Sequence, residues 1–529
     1  VKTLLGLKEL RVRTLIIASI GSAVISLSSL YVALRMGALP WPTVFVAIMS
    51  MGILKWLKNT NINEINVAHT GMSAGALVAG GIAFTIPGIW IINKSQNINF
   101  LFVLLSALLG TVFGFIGIIT IREYFIEKSN LPYPVGVATA NTLIAGDEGG
   151  KKAKTVFSSL ILSSIITFLR DGFSFIPQVI FVKGLTQFGI GFFISPMALG
   201  IGYIIGITYM GVWFIGSVIG NLIFPLFLTN WLSTLEKVTN FKINLGIGLI
   251  IGGGVAIVLK DILPKAKEIF LKSVENLKIA KTFVIVVLGI VLVLEIAFLK
   301  INFITATVIA ILTLITIVMA AYIDGATGIV PMEIFGIIVL LVVKFVTPYV
   351  SKDYLTLFAI AAIVSVATGI TGDNLQDFKT GNILKTNPNA QLISELTGGI
   401  VGSIFGTLGL FILYKAYGNF GPNSFLVAPQ AFAVSQMIQG LKDPRAFFFG
   451  FILGIFLYFF NIPSMILGIG IYLPFTISST AFIGSLIKAL VTKVKKEQNS
   501  NGELVASGLL GGEGFAGTIV AIIRFIWRL

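Results

Sequence analysis

Residues 99–122 read NFLFVLLSALLGTVFGFIGIITIR, an apolar run with no charge before Arg122. Wound as an α-helix at about 1.5 Å per residue, it is long enough to cross a hydrocarbon layer about 30 Å thick. It lacks the period-two alternation, in runs of about 10 residues, that a transmembrane barrel strand requires. Comparable runs lie at 13–35, 39–57, 155–169, 245–262, 281–299, 302–323, 332–348, 355–371, 397–416, 445–460 and 504–527. The stretches 66–92, 131–147, 173–194, 196–228, 424–440 and 463–490 are apolar too, but Gly, Pro or polar residues break them. Counting each broken stretch as zero, one or two crossings predicts an all-α, polytopic transmembrane helical bundle of about 14–16 spans. The polar connectors are short, so no separate soluble domain is expected.

Composition agrees with that reading. Of 529 residues, 56% are hydrophobic and 11% charged, and the mean hydropathy is +0.99. A soluble chain of this length needs far more charge to cover its surface. The formal charge of +15 sits in connectors, at Lys260, Lys265, Lys267, Lys272, Lys278 and Lys281, at Lys488, Lys493, Lys495 and Lys496, and at Lys2, Lys8, Arg11 and Arg13. The positive-inside tendency accounts for such clusters, so no nucleic-acid partner is expected. The absence of cysteine excludes disulfides and thiolate chemistry. The first apolar run, Thr14–Met36, is long enough to span and lacks the short core of a cleavable signal. The expected location is a cell membrane, crossed many times.

The opening stretch also repeats. Gly110, Phe113, Gly114 and Gly117 match Gly402, Phe405, Gly406 and Gly409, and Tyr31, Gly37 and Pro40 match Tyr322, Gly328 and Pro331, at offsets of 291–292. Further on, residues 199–219 and 467–487 are identical at 10 of 21 positions, including Thr208 with Thr476. The change in offset implies roughly 25 extra residues in the first half, within 147–198. Collinear matches over most of each half favour duplication over chance likeness of Gly- and Phe-rich helices. The expected organisation is a first repeat in 1–262, a basic loop and linking helix in 263–301, and a second repeat in 302–529. Short or interrupted segments at equivalent places in two repeats are the best sequence pointer to a transporter's substrate site. Two pairs qualify: 131–146 with 425–440, and 196–220 with 463–488.

Candidate site residues follow from polar groups inside or beside apolar runs. Asp373 and Asp377 would share one helix face, with Gln376 and Lys379 beside them. They suit a coupling proton or the charged ends of a substrate; a solvated loop after 355–371 is the plainer reading. Asn66, His69, Thr70 and Ser73 follow Glu64 and precede a Gly- and Ala-rich run. His69, the single histidine, titrates in the physiological range when unperturbed, though one histidine without a carboxylate cluster argues against a catalytic metal site. Tyr133, Thr139 and Asn141 in one short segment, and Gln430, Ser435 and Gln436 in its counterpart, offer neutral hydrogen-bonding groups that suit either a cavity or helix–helix contacts. Glu513 lies inside the last apolar run, whereas Glu295, Asp324, Glu333 and Glu395 sit nearer span ends and rank lower. No Walker A, HExxH or GxSxG pattern supports an enzyme, and no cofactor or metal is implied.

These residues resemble the oligopeptide transporter superfamily, which includes the yellow-stripe-like metal-chelate transporters. The resemblance rests on Asn66-Val-Ala-His-Thr70 with Ser73-Ala-Gly75, Leu131-Pro-Tyr-Pro-Val-Gly136 with Ala140-Asn141, Gln376-Asp-Phe-Lys-Thr-Gly381, and Ala506-Ser-Gly-Leu with Gly512-Glu513. It implies a bundle of about 16 helices moving peptides, modified peptides or metal–chelator complexes, usually with protons. The eukaryotic Asn-Pro-Gly triplet is absent, which points to a prokaryotic member; His69 departs from the Gln of many relatives. The expected function is therefore proton-coupled secondary active transport, with Asp373, Asp377 or Glu513 taking the proton and the paired short segments surrounding the substrate. A channel, or a carrier for another small solute or ion, is the alternative.

Overall fold

A computed structural model of the chain describes residues 3–4, 7–37, 43–147, 151–232, 234–257, 259–260, 263–265, 281–347, 353–422, 424–495 and 500–527. Pro40 and the basic positions Lys2, Lys267, Lys272, Lys278 and Lys496 lie outside them, as do 266–280 of the expected connector. The first half contains α1 (Val12–Met36), α2 (Thr43–Trp56), α3 (Ile62–Ala83), α4 (Gly88–Ile92), α5 (Phe100–Arg122) and α6 (Pro134–Asp147). It continues with α7 (Lys151–Thr167), α8 (Pro196–Ile205), α9 (Ile207–Val218), α10 (Phe224–Leu232) and α11 (Leu235–Ile257). After α12 (Lys281–Leu299) come α13 (Phe303–Thr327), α14 (Met332–Val346), α15 (Tyr354–Leu384), α16 (Pro388–Tyr417) and α17 (Pro429–Gln439). The chain ends with α18 (Pro444–Phe459), α19 (Ser464–Tyr472), α20 (Phe475–Lys495) and α21 (Ser500–Trp527).

The protein is an all-α polytopic membrane bundle. Among the described residues, 11 helical stretches are long and apolar enough to cross a membrane, and shorter apolar helices accompany them. The runs 39–57, 281–299 and 445–460 form shorter apolar helices than full spans. The run 355–371 does not end in a loop: α15 continues to Leu384, carrying the polar stretch after Thr371 into the protein. Strands are few; β1 (Thr3–Leu4) pairs with β2 (Leu7–Arg11), and β3 (Val179–Phe181) pairs antiparallel with β4 (Gly191–Phe193). The second hairpin lies between α7 and α8, where the corresponding gap between α18 and α19 holds only 460–463.

Contacts divide the chain into two compact units, 1–153 with 265–439 and 521–529, and 154–264 with 440–520. Each unit draws on both halves of the sequence. In the first, α3 and α15 form the core, with 89% and 94% of their apolar windows buried, against 56% for α1. Helix α1 packs on α3 and α13 on α15; α16 packs on α3 and α5 on α15. Matched residues make the crossings. Gly402 of α16 seats on the backbone of Gly75, and Gly110 of α5 on Val366, the close approach that small residues permit between membrane helices. The hydroxyls of Thr111 and Ser403, equivalent at an offset of 292, hydrogen-bond each other at 3.1 Å.

The second unit follows the same rule. Gly202 packs on the Ala481 carbonyl and Gly470 on that of Trp213; Gly216 packs on Leu467 and Gly484 on Leu199. Each pair becomes the other when the offset of 268 is applied. Phe214 and Phe482, themselves equivalent, stack at 4.4 Å with an interplanar angle of 5°. Contacts in which residue i meets j while the counterpart of j meets that of i have the form of an isologous two-fold interface.

Candidate functional site

Asp353 caps α15, and the helix runs apolar until Gly372. From Thr356 to Gly381 only Lys379 is not fully buried. The periodicity of about 3.6 residues then sends Asp373 and Asp377 to one face and Gln376 with Thr380 to another. The aspartate face meets α3. His69 Nε2 lies 3.6 Å from Asp377 Oδ1, both side chains being buried. Gln391 of α16 donates to the Thr70 hydroxyl at 3.0 Å and to the Asp377 carbonyl at 3.0 Å. Asn374 donates to Glu395 at 2.7 Å. The amide of Asn66 donates to Thr386 at 3.2 Å, and Ser73 is buried on the same helix.

The second face meets α13 and α6. Gln376 Nε2 donates to the Asp324 carbonyl and to its Oδ2, both at 2.8 Å. Gln376 Oε1 accepts the Gly136 N–H at 2.9 Å, and the Thr380 hydroxyl donates to the Gly136 carbonyl at 2.9 Å. Tyr133, at φ 45°, donates its own N–H to Gly325 at 2.9 Å. A non-glycine residue in that left-handed region is uncommon, and such strain gathers at functional positions. The Lys379 ammonium lies 5.6 Å from the Tyr133 ring. A methyl at Gly136 would run into the Gln376 carbonyl, so only glycine lets α6 settle this closely on α15.

Asp324, Asp373, Asp377 and Glu395 are thus buried in one unit, at exposures of 0–3%. Among the described residues, no Lys or Arg pairs with any of them. Like charges sharing a low-dielectric site cannot all be ionised without a compensating cation. An ionisable group so placed in a membrane bundle is a functional-site candidate. Among the described residues, no set of three or more His, Asp or Glu is arranged to hold a metal ion.

The remaining expected residues lie elsewhere. Thr139 is buried and turns its hydroxyl to Val135 of its own helix, at 2.8 Å. Asn141 is exposed. Gln430 donates to the Gly37 carbonyl, whereas Gln436 is buried with its Oε1 unbonded. Glu513 belongs to the second unit and has an ionic partner: Arg170 lies 2.9 Å away. Its other oxygen accepts from Ser195 at 2.8 Å and from the Met197 N–H at 2.9 Å, which holds the first turn of α8. Glu64 is likewise compensated, by Arg11 at 2.9 Å and Arg13 at 2.7 Å. Sequence reasoning ranked Asp324 and Glu395 low and missed Asn374 and Gln391. Helices α15 and α16 both outrun the apolar stretches that announced them.

A polytopic bundle of long apolar helices with buried carboxyls suits a membrane transporter. The sequence pattern of the OPT oligopeptide transporter protein family matches residues 9–259 and 264–524. The chain belongs to the OPT family, whose members are transporters and not enzymes. It is 25% identical over 593 aligned residues to a Haemophilus influenzae protein carrying an oligopeptide-transporter name, covering 93% of this chain and 92% of that one. It is 27% identical over 173 residues to a metal-nicotianamine transporter of Arabidopsis thaliana, covering 29% of this chain and 26% of that one. Over 189 residues it is 25% identical to an iron-phytosiderophore transporter of Oryza sativa subsp. japonica, covering 31% and 28%.

Proposed function

We propose that this chain is a proton-coupled secondary active transporter that takes up small peptides, peptide-like compounds or metal–chelator complexes across a prokaryotic cell membrane. The observation that carries the reading is the set of four buried carboxyls around α15 that, among the described residues, have no Lys or Arg partner. Asp373 and Asp377 load the coupling proton, and His69 faces them as a further proton-accepting or hydrogen-bonding group. Asn66, Thr70, Ser73, Gln376, Tyr133 and Lys379 present polar groups to the substrate, while Gln430, Gln436, Thr139 and Asn141 belong to the paired short helices α6 and α17. Glu513, compensated by Arg170, is assigned to holding α8 in position. The interrupted segments at matching places in the two repeats, 1–262 and 302–529, support alternating access. The bacterial relative, matched over nearly its full length, supports the peptide class and the prokaryotic membrane; the plant relatives support the chelate class over about a third of the chain.

Uptake into proteoliposomes tests this, using mixed di- to hexapeptides and iron chelates, with and without an inward proton gradient. Accumulation that collapses with a protonophore is the expected result. Saturable uptake that ignores the gradient overturns proton coupling, and conduction that never saturates makes the protein a channel.

A further inference from the structure

We propose that Asp324 is a further carboxyl of the coupling site and that Gln376 is the positioning residue through which its charge holds the start of α6. This rests on the proton-coupled reading above and deepens it. Gln376 bridges two helices. Its amide nitrogen spends both hydrogens on Asp324, and its amide oxygen receives the first-turn N–H of Gly136. Thr380 takes the Gly136 carbonyl, and Gly325, the residue after Asp324, takes the Tyr133 N–H. The Tyr133 N–H and both backbone polar atoms of Gly136 are therefore tied to groups on α13 and α15.

The tie depends on charge. A hydrogen bond to a carboxylate is roughly twice as strong as one between neutral groups. Ionised Asp324 fixes Gln376 with its nitrogen toward α13 and its oxygen toward Gly136. When a proton binds the carboxyl, the bond from Gln376 loses its charge assistance. Proton arrival at Asp324 thus loosens α6, one of the interrupted helices proposed to face the substrate. Asp324 acts electrostatically on Asp373 and Asp377 of α15 and on Tyr133 before α6. The other buried or half-buried ionisable groups on elements packed against α13 are Lys379 and Tyr354 on α15, Arg122 on α5, Tyr124 just after α5, Glu295 on α12, and Glu333 and Lys344 on α14. None of these is bonded to Asp324 among the described residues.

Amide hydrogen exchange of the whole protein in nanodiscs, followed by mass spectrometry, reads the tie without any transported solute. After correction for the intrinsic chemical rate, exchange at 134–144 rises as pH is lowered from about 8.5 to about 5, while the α17 segment 429–439 does not respond. At the alkaline end Asp324→Asn and Gln376→Leu exchange about fivefold faster than wild type at 134–144 and lose the pH response. Asp324→Glu keeps the response. An α6 segment indifferent to pH in the wild-type protein overturns the proposal, as does an Asp324→Asn variant with the wild-type profile. Gradient-driven uptake with a pH-indifferent α6 leaves the transporter reading standing and removes this one. An α6 that answers to Asp324 in a protein that moves neither peptides nor chelates keeps the latch and removes the substrate reading.

Discussion

The starts of α6 and α17 are built on one plan and furnished differently. Pro134 opens α6 after Tyr133 at φ 45°, and Pro429 opens α17 after Ala428 at φ 43°. The N–H of Tyr133 reaches Gly325 beyond α13's Asp324, and that of Ala428 reaches Leu34 of α1, at 2.8 Å. Pro134 lies against Gly328 and Pro429 against Gly37, the left-handed glycines that end those two helices. The side chains around them diverge. At the offset of 291, Asp324, Asp373, Gln376 and Asp377 correspond to Ala33, Ile82, Thr85 and Ile86. The ionic residue near the start of α17 is a cation, Arg35, whose guanidinium lies 3.7 Å from the centre of the Phe425 ring. Matching backbone geometry is thus kept while the titratable groups gather at one of its two copies.

The largest test of that asymmetry neutralises both aspartates of the α15 face. Asp373→Asn with Asp377→Asn should abolish gradient-driven accumulation while leaving solute exchange across equilibrated vesicles. Retention of accumulation would make the acidic copy no more important than the apolar one. Compensated and uncompensated acids can be compared next. Arg170→Met strands Asp171 and Glu513 in the second unit, and should cost about 3–5 kcal/mol in thermal or denaturant unfolding. Asp373→Asn strands no partner, so it should cost far less in the same assay. At the helix starts, Gly136→Ala presses a methyl on the Gln376 carbonyl and should destabilise by about 1–3 kcal/mol. The opposite change in the apolar copy, Ala431→Gly, should cost about 0.5–1 kcal/mol. Equal costs would mean that α6 is held no more tightly than α17. The smallest effect belongs to the matched hydroxyls: Thr111→Val should lose about 0.6 kcal/mol, the average for a hydrogen bond between membrane helices, and Ser403→Ala a similar amount.

Much of this could be read from the chain alone because hydrocarbon imposes simple rules. Uncharged runs such as 99–122 announced spanning helices, and Gly110 with Gly402 announced their match. Asp373 and Asp377 were visible as acids beside an apolar run at helical spacing. Glu395 ranked lower, as an acid near a span end, because α16 starts at Pro388, well before the apolar stretch at 397. Its Oε1 accepts a hydrogen bond from Asn374, contributed by another helix. Asp324 looked like a residue at a span end, and it is one. Only the packing of α15 and the α6 start over that end buries it. Glu513 differs in having an ionic partner, although an acid inside an apolar run is a functional candidate by default. Its partner, Arg170, lies more than 300 residues earlier and carries no pattern that sequence spacing reveals. Local periodicity finds the helices, whereas charge compensation depends on tertiary neighbours.

The seating of Gly402 on Gly75, and of Gly484 on the Leu199 carbonyl, also bears on how such a chain is made. Neither compact unit can be finished from one half, because each takes segments from before Pro264 and after Gln439 or from either side of Lys265. A ribosome that has released only the first half has delivered helices whose glycine-lined faces still lack their partners. Loss of the second half by truncation therefore removes both units together, and a quality-control protease would meet unpaired helices in place of half a transporter.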